Sequence, residues 1–119
     1  MKETYQKEPS KTVEENKEVT LFKKEVGAEA LTGNGFTWKQ DWGNLNGQRI
    51  LPLNWSAVNC NSRVFVSICE FDLNQCGFIG AARYTVHNVA ARNGGIDVWI
   101  NIEWDTPIRI RVDYLVINP

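Results

Sequence analysis

The clearest pattern along the chain is alternation with period 2. Ile96, Val98, Ile100, Ile102 and Trp104 alternate with Asp97, Trp99, Asn101 and Glu103. Ile108, Ile110, Val112, Tyr114 and Val116 alternate in the same way with Arg109, Arg111 and Asp113. Successive side chains of a strand point to opposite sides, so each run predicts a strand with one buried face. Only Asp105-Thr106-Pro107 separates the runs, and a connection that short predicts a hairpin with Trp104 opposite Ile108. In that register Ile102 meets Ile110, Ile100 meets Val112 and Val98 meets Tyr114 on the buried side. On the other side Glu103 meets Arg109 and Asn101 meets Arg111, pairs worth about 0.2–1 kcal/mol each.

Upstream, Arg63 to Phe71 places Val64, Val66 and Ile68 on one face and Phe65, Ser67, Cys69 and Phe71 on the other. Both faces are largely apolar, which predicts a central strand. Phe78 to Val89 supplies another strand, and Asn93-Gly94-Gly95 makes a turn into Ile96. Gln48 to Trp55 is a further strand, with Pro52 marking an edge or a bulge. Short strands, turn signals and no sustained helical period predict an all-β domain, an antiparallel sandwich or barrel. We take it as a β-sandwich of about six strands with a charged, partly disordered N-terminal arm.

Charge divides the chain. The 119 residues carry 13 Lys and Arg against 14 Asp and Glu, a formal charge of −1. Residues 1–30 hold six Lys and seven Glu, with no Asp, Arg or Trp. Residues 31–119 hold Lys39, six Arg, five Asp, Glu70, Glu103 and all five Trp. A Lys/Glu-rich arm over 1–30 joined to a sandwich domain over 31–119 follows, with the boundary in the cluster of Gly27, Gly33 and Gly35. Thr12 followed by Glu14 and Glu15 allows a short helix in the arm, and Val19 to Val26 allows an edge strand. Near-neutral charge removes the field that holds nucleic acid or an anionic membrane. No apolar run approaches the ~20 residues of a membrane span. The first eight residues lack the apolar core of a secretory signal, so the expected setting is the cytoplasm or release by another route, without membrane insertion.

Catalytic and metal chemistry find little support. Cys60, Cys69 and Cys76 are an odd number, consistent with reduced thiols, although Cys69 and Cys76 flank one loop and can pair if the protein is released. Zinc would need the three thiols and the lone His87 to converge, and no short C-x-x-C spacing supports that. His87 has no motif partner. Glu103 and Asp105 flank a tight turn, which suits surface carboxylates better than a glycosidase pair. We expect no enzyme, no cofactor and no metal.

The aromatic load stands out: Trp38, Trp42, Trp55, Trp99 and Trp104. Trp55 and Trp104 are in phase with aliphatic neighbours and suit a core. Trp99 is in phase with Asp97, Asn101 and Glu103, so its ring predicts an interface or a ligand platform. Rings beside Asp, Asn and Arg are what sugar recognition needs, the ring covering the C–H face while polar groups meet the hydroxyls.

The order of these features resembles the H-type lectin family of GalNAc/Gal-binding β-sandwich domains. The resemblance runs over about residues 36–118: Gln48-Arg49-Ile50, then Arg63 through Phe71 ending at Asp72, Ala82-Arg83-Tyr84, Asn88-Val89, Gly94-Gly95, Trp104-Asp105-Thr106 and Val112 to Ile117. It implies a six-stranded sandwich that trimerises, with sugar sites between subunits. By position Arg83 corresponds to the sugar-binding arginine and Trp104 to the stacking tryptophan. Asp105 takes the place of the polar residue after it, often His or Asn in the family, which leaves the sugar preference open. Asp41 corresponds to an aspartate of the N-terminal loop. Asp113 and Tyr114 stand where the family often has Ser and Trp.

The expected function is therefore a non-enzymatic lectin that binds Gal/GalNAc-type sugars on glycans or glycoproteins through Arg83, Trp104, Asp105 and Asp41. It would work as a homo-oligomer, a trimer or a multiple of one, gaining avidity from repeated weak sites. The alternative is an oligomeric structural or interaction module, such as a virion, toxin-associated or surface-appendage subunit, with Trp99 and the Arg109/Arg111 row at subunit contacts. A single-stranded nucleic-acid binder comes third, since seven positive and seven negative charges after the arm leave no electrostatic funnel.

Overall fold

The computed structural model describes residues 6–7, 10–13, 19–20, 24–26, 29–31, 33–74 and 76–119, with side chains for 10–13, 33–74 and 76–119. Among these residues every regular element is a strand. In chain order they are β1 (Gln6–Lys7), β2 (Lys11–Thr12), β3 (Val19–Thr20), β4 (Lys24–Val26), β5 (Glu29–Leu31), β6 (Asn34–Leu45), β7 (Gly47–Asn54), β8 (Arg63–Phe71), β9 (Gly77–Phe78), β10 (Arg83–Arg92), β11 (Gly95–Glu103) and β12 (Ile108–Asn118). Six of them, β6, β7, β8, β10, β11 and β12, have eight residues or more and divide equally between two sheets. The first sheet runs β1-β7-β11-β10, with β2 also on β7, and the second runs β3-β6-β12-β8-β9. All pairings between the long strands are antiparallel. The all-β sandwich of about six strands expected from the sequence is the fold observed, although the sequence pattern marks no strand at β6, Asn34–Leu45.

The alternation assigns the faces correctly. Ile96, Val98, Ile100 and Ile102 of β11 and Ile110, Val112, Tyr114 and Val116 of β12 are all buried. With Leu51 and Leu53 of β7, and with Trp42, Leu45, Trp55 and Val58, they form one core between the sheets. Burying a Val, Leu or Ile side chain contributes roughly 1.5–3 kcal/mol, so these strands carry most of the fold's apolar drive.

The expected hairpin does not form. β11 pairs with β10 and β7, whereas β12 pairs with β6 and β8. The two apolar rows therefore face each other across the sandwich instead of lying side by side. Stacked sheets are about 10 Å apart and an extended residue spans about 3.3 Å, so Trp104 to Pro107 is long enough to cross from one sheet to the other. A short connection between two half-buried strands fits both arrangements, and the hydrogen-bonding edges decide between them. The hairpin partner of β11 is β10, joined by Asn93 and Gly94, with Gly94 at φ 89°. That turn is tied to the β7–β8 connection: Trp55 N donates to Gly94 O, and Gly94 N donates to Val58 O, both at 2.8 Å. Accordingly, the pairs Glu103 with Arg109 and Asn101 with Arg111 are absent, and Arg83, not Arg109, lies across from Glu103.

Two further expectations change. β8 has β12 along its length on one side, but on the other only Glu70 and Phe71 pair, with the two-residue β9. It is a near-edge strand, and its second face, with Phe65 exposed, is not covered as a central strand's would be. The strand expected over Phe78 to Val89 is interrupted, since β9 ends at Phe78 and β10 starts at Arg83. Pro52, by contrast, behaves as an edge residue. On the free side of β7, Arg49 and Ile50 pair with β1 and Leu53 and Asn54 with β2, and Pro52, which has no N–H to give, falls in the gap.

Part of the charged N-terminal segment lies in the sheets. β1 and β2 run parallel to β7, and β3 runs antiparallel to β6. Val13 N donates to Asn54 O at 2.8 Å, and the Val13 side chain is 4% exposed within the core. Lys11 Nζ donates to Asp41 O at 3.0 Å and lies 5.3 Å above the Trp42 ring. Thr12 is in β2, while Glu14, Glu15 and the boundary residue Gly27 lie outside the described residues.

Candidate functional site

One end of the first sheet gathers three of the four residues singled out from the sequence. β11 ends at Glu103, and the Trp104 N–H turns back to donate to Ile102 O at 3.0 Å. This i to i+2 bond bends the backbone off the sheet. The Trp104 side chain is thereby lifted out of phase with the core row and is 43% exposed. Trp55, the other tryptophan in phase with aliphatic neighbours, is buried. The chain beyond Trp104 is fixed by Asn46, between β6 and β7, whose Nδ2 donates to Trp104 O at 3.3 Å and to Asp105 O at 3.2 Å. Arg49 Nε in turn donates to Asn46 O at 3.0 Å.

Arg83 opens β10 directly across from Glu103. Arg83 and Glu103 are both exposed, and Arg83 has no ion-pair partner among the described residues. Ile102, Glu103, Trp104 and Asp105 line a concavity of about 500 Å³. An exposed indole and two carboxylates thus line one concavity, with Arg83 opposite Glu103 in the ladder and Asn46 clamping the backbone at Trp104 and Asp105. Such a set can cover an apolar ligand face and both donate to and accept from hydroxyls.

Asp41 does not join this rim. It lies on the outer face of β6 in the second sheet, where Oδ2 accepts from Arg109 Nη2 at 2.9 Å and Oδ1 accepts from Gly43 N at 2.8 Å. Partial burial pushes its carboxyl up, but the Arg109 hydrogen bond, the Gly43 N–H and the charges of Arg109 and Lys11 outweigh that. The group is held below the ordinary value of 3.8. Arg109 also stacks on Phe71, with its guanidinium carbon 4.6 Å from the ring centroid. Asp41 is accordingly engaged in a structural pair.

Trp99 stands on the outer face of the first sheet, as its phase predicts. Its Nε1 donates to Gln48 Oε1 at 2.7 Å, and its ring lies 4.4 Å from that of His87 at 33°. His87 is the extra residue of a bulge in β10, since Val86 pairs with Ile100 and Asn88 with Trp99. Bulges re-aim a side chain, and here the imidazole is brought onto the indole. Tyr84 is pushed up to about 12 by burial and by the Glu70 carboxylate.

Among the described residues no three His, Cys, Asp or Glu side chains gather as metal ligands. Cys60 lies between β7 and β8, Cys69 on β8, and Cys76 ahead of β9, all as free thiols. Asp72 N donates to Cys76 O, which sets Cys76 across from Asp72 and out of step with Cys69. No helix of the described residues is long and apolar enough to cross a membrane. Asn46, which no site pattern in the sequence marks, clamps this end, and Glu103, expected as a surface carboxylate beside the turn, lines the concavity. The Asn46-Gly47 dipeptide is a strong turn signal, and Gly47 has φ 73°. Set against protein-family models, curated proteins and solved structures, the chain matches none of them.

Proposed function

We propose that this protein is a non-enzymatic carbohydrate-binding sandwich whose sugar site is the rim formed by Arg83, Trp104 and Asp105. The observation that carries the reading is Trp104 itself: a large ring, 43% exposed, on a backbone clamped by Asn46. An exposed indole is costly to leave in water, and a rigid one loses little entropy when it stacks on a sugar. Arg83, without an ion-pair partner among the described residues, serves as donor to ring hydroxyls and Asp105 as acceptor. The rim is shallow, so a neighbouring copy supplies the rest of the enclosure, as in the H-type lectins the sequence resembles, with Gal/GalNAc-type sugars as ligands.

The reading as an oligomeric interaction module has one observation of its own. β10 is a ten-residue edge strand of the first sheet, with Val86 exposed, and such edges invite pairing. Glycan-array binding of the assembled protein separates the two. Light scattering gives the oligomer mass, and galactose or GalNAc titration followed by tryptophan fluorescence gives the sugar response. A response abolished in Trp104→Ala supports the lectin reading, and an oligomer with no response overturns it in favour of the module.

A further inference from the structure

The outer face of the second sheet carries a groove that the rim does not use. The register aligns its side chains in rows across β6, β12 and β8: Thr37, Leu115 and Phe65 in one row, Lys39, Asp113 and Ser67 in the next, and Asp41, Arg111 and Cys69 beyond. The first two rows line a cavity of about 740 Å³, within the range that holds a small ligand. This accounts for the apolar second face of β8: Phe65 is 51% exposed and Leu115 38% exposed, both beside the groove.

Its carboxylates are answered from within the face, which leaves cations over: Lys39 in the groove and Arg63 one row beyond Phe65. Asp113 Oδ1 is 3.0 Å from Arg111 Nε, and Oδ2 accepts from Arg111 Nη2 at 3.2 Å. Asp41 is likewise paired with Arg109. Both carboxylates are therefore neutralised by arginines on their own face. Lys39 lies across from Asp113 in the ladder but has no ion-pair partner among the described residues. The groove thus combines one unneutralised ammonium with an exposed aromatic ring and the hydroxyls of Thr37 and Ser67.

We propose that this groove binds a short saccharide bearing a carboxylate, of the uronic-acid class. Phe65 covers the C–H face of one sugar ring, Lys39 meets the carboxylate, and Thr37 and Ser67 exchange hydrogen bonds with hydroxyls. A neutral sugar would leave Lys39 unanswered, while Arg109 and Arg111 are already engaged by Asp41 and Asp113. The inference stands on the second sheet alone and is independent of the Trp104 rim.

The test is calorimetric titration with an aldobiouronic acid (one uronate and one neutral hexose) and with its carboxyl-reduced counterpart. Wild type is expected to bind the acid at least about tenfold more tightly than the reduced sugar. Lys39→Gln should erase that preference, Lys39→Arg should keep it, and Phe65→Ala should weaken both sugars. Both positions are exposed at the surface, and circular dichroism checks that each variant folds. Equal affinity for the two sugars, absence of binding, or indifference to Lys39→Gln and Phe65→Ala would overturn the proposal. So would a fall in oligomer mass on Phe65→Ala without any sugar binding by wild type, which would make the groove a contact between copies.

Discussion

The indole N–H of Trp42 donates to the phenol oxygen of Tyr114 at 3.1 Å, a buried bond between residues 72 positions apart. Trp42 is the extra residue where β6 shifts register against β12, between Asp41 opposite Arg111 and Gly43 opposite Ile110. The bulge turns the ring into the core, and Tyr114 gives its N–H the partner that a buried donor requires. Burial raises the Tyr114 pKa, an effect only partly offset by the bond from Trp42.

Tyr114→Phe removes the acceptor and strands the indole N–H. The expected cost is about 1–3 kcal/mol, read as a lower urea midpoint with an unchanged slope. Trp42→Phe combined with Tyr114→Phe is expected to cost less than the two single changes added together, because the double variant leaves neither polar group orphaned.

Val13→Ala tests whether the charged segment belongs to the core. Removing two buried methyl groups is expected to cost about 1.5–2.5 kcal/mol. A melting temperature equal to wild type would mean that the contact of Val13 with the core does not contribute to stability.

Acid weakens the Asp41–Arg109 pair. Folding lowers the Asp41 pKa, so its contribution is present above the ordinary 3.8 and is lost as pH falls through the lower folded value. Both side chains are over a third exposed, which keeps the pair well under about 1 kcal/mol. Asp41→Asn should therefore lie slightly below wild type in thermal stability at pH 7, with the gap closing as pH falls through the lowered folded value.

Trp104→Ala should change stability by about 1 kcal/mol or less, since the ring lies outside the core row. Its effect on sugar response should be far larger, at least about tenfold, or 1.4 kcal/mol. A variant that loses sugar binding only in proportion to lost folded protein would argue against a stacking role.

Much of the fold was legible because a half-buried strand records its own geometry. Period 2 marked Ile96 to Ile102 and Ile110 to Val116 as inner faces and set Trp99 outside, since side-chain direction in a strand is a local property. Trp104 broke the rule for an equally local reason, the turn that follows Glu103, which its alternation with Ile102 did not reveal. Val13 was hidden in a segment that reads as solvated charge, because one apolar residue carries no period. The rim was half visible. Arg83, Trp104 and Asp105 lie at one sheet end, while Asp41 is drawn to Arg109 on the other sheet.

By itself, then, the amino-acid sequence determined that the chain folds as antiparallel strands around one apolar layer and which sides of β11 and β12 are buried, while β6 (Asn34–Leu45), with no clean alternation, was not marked. Which strands are neighbours was decided only by the tertiary structure. Alternation specifies a face but not an edge, so the runs flanking Asp105-Thr106-Pro107 could lie side by side or face to face. The pairing of β11 with β7 and β10, and of β12 with β6 and β8, satisfies both edges of each central strand. It closes the core between two sheets and sets Lys39, Phe65 and Ser67 around one groove. Those contacts are made by residues far apart in the chain, and no local pattern encodes them.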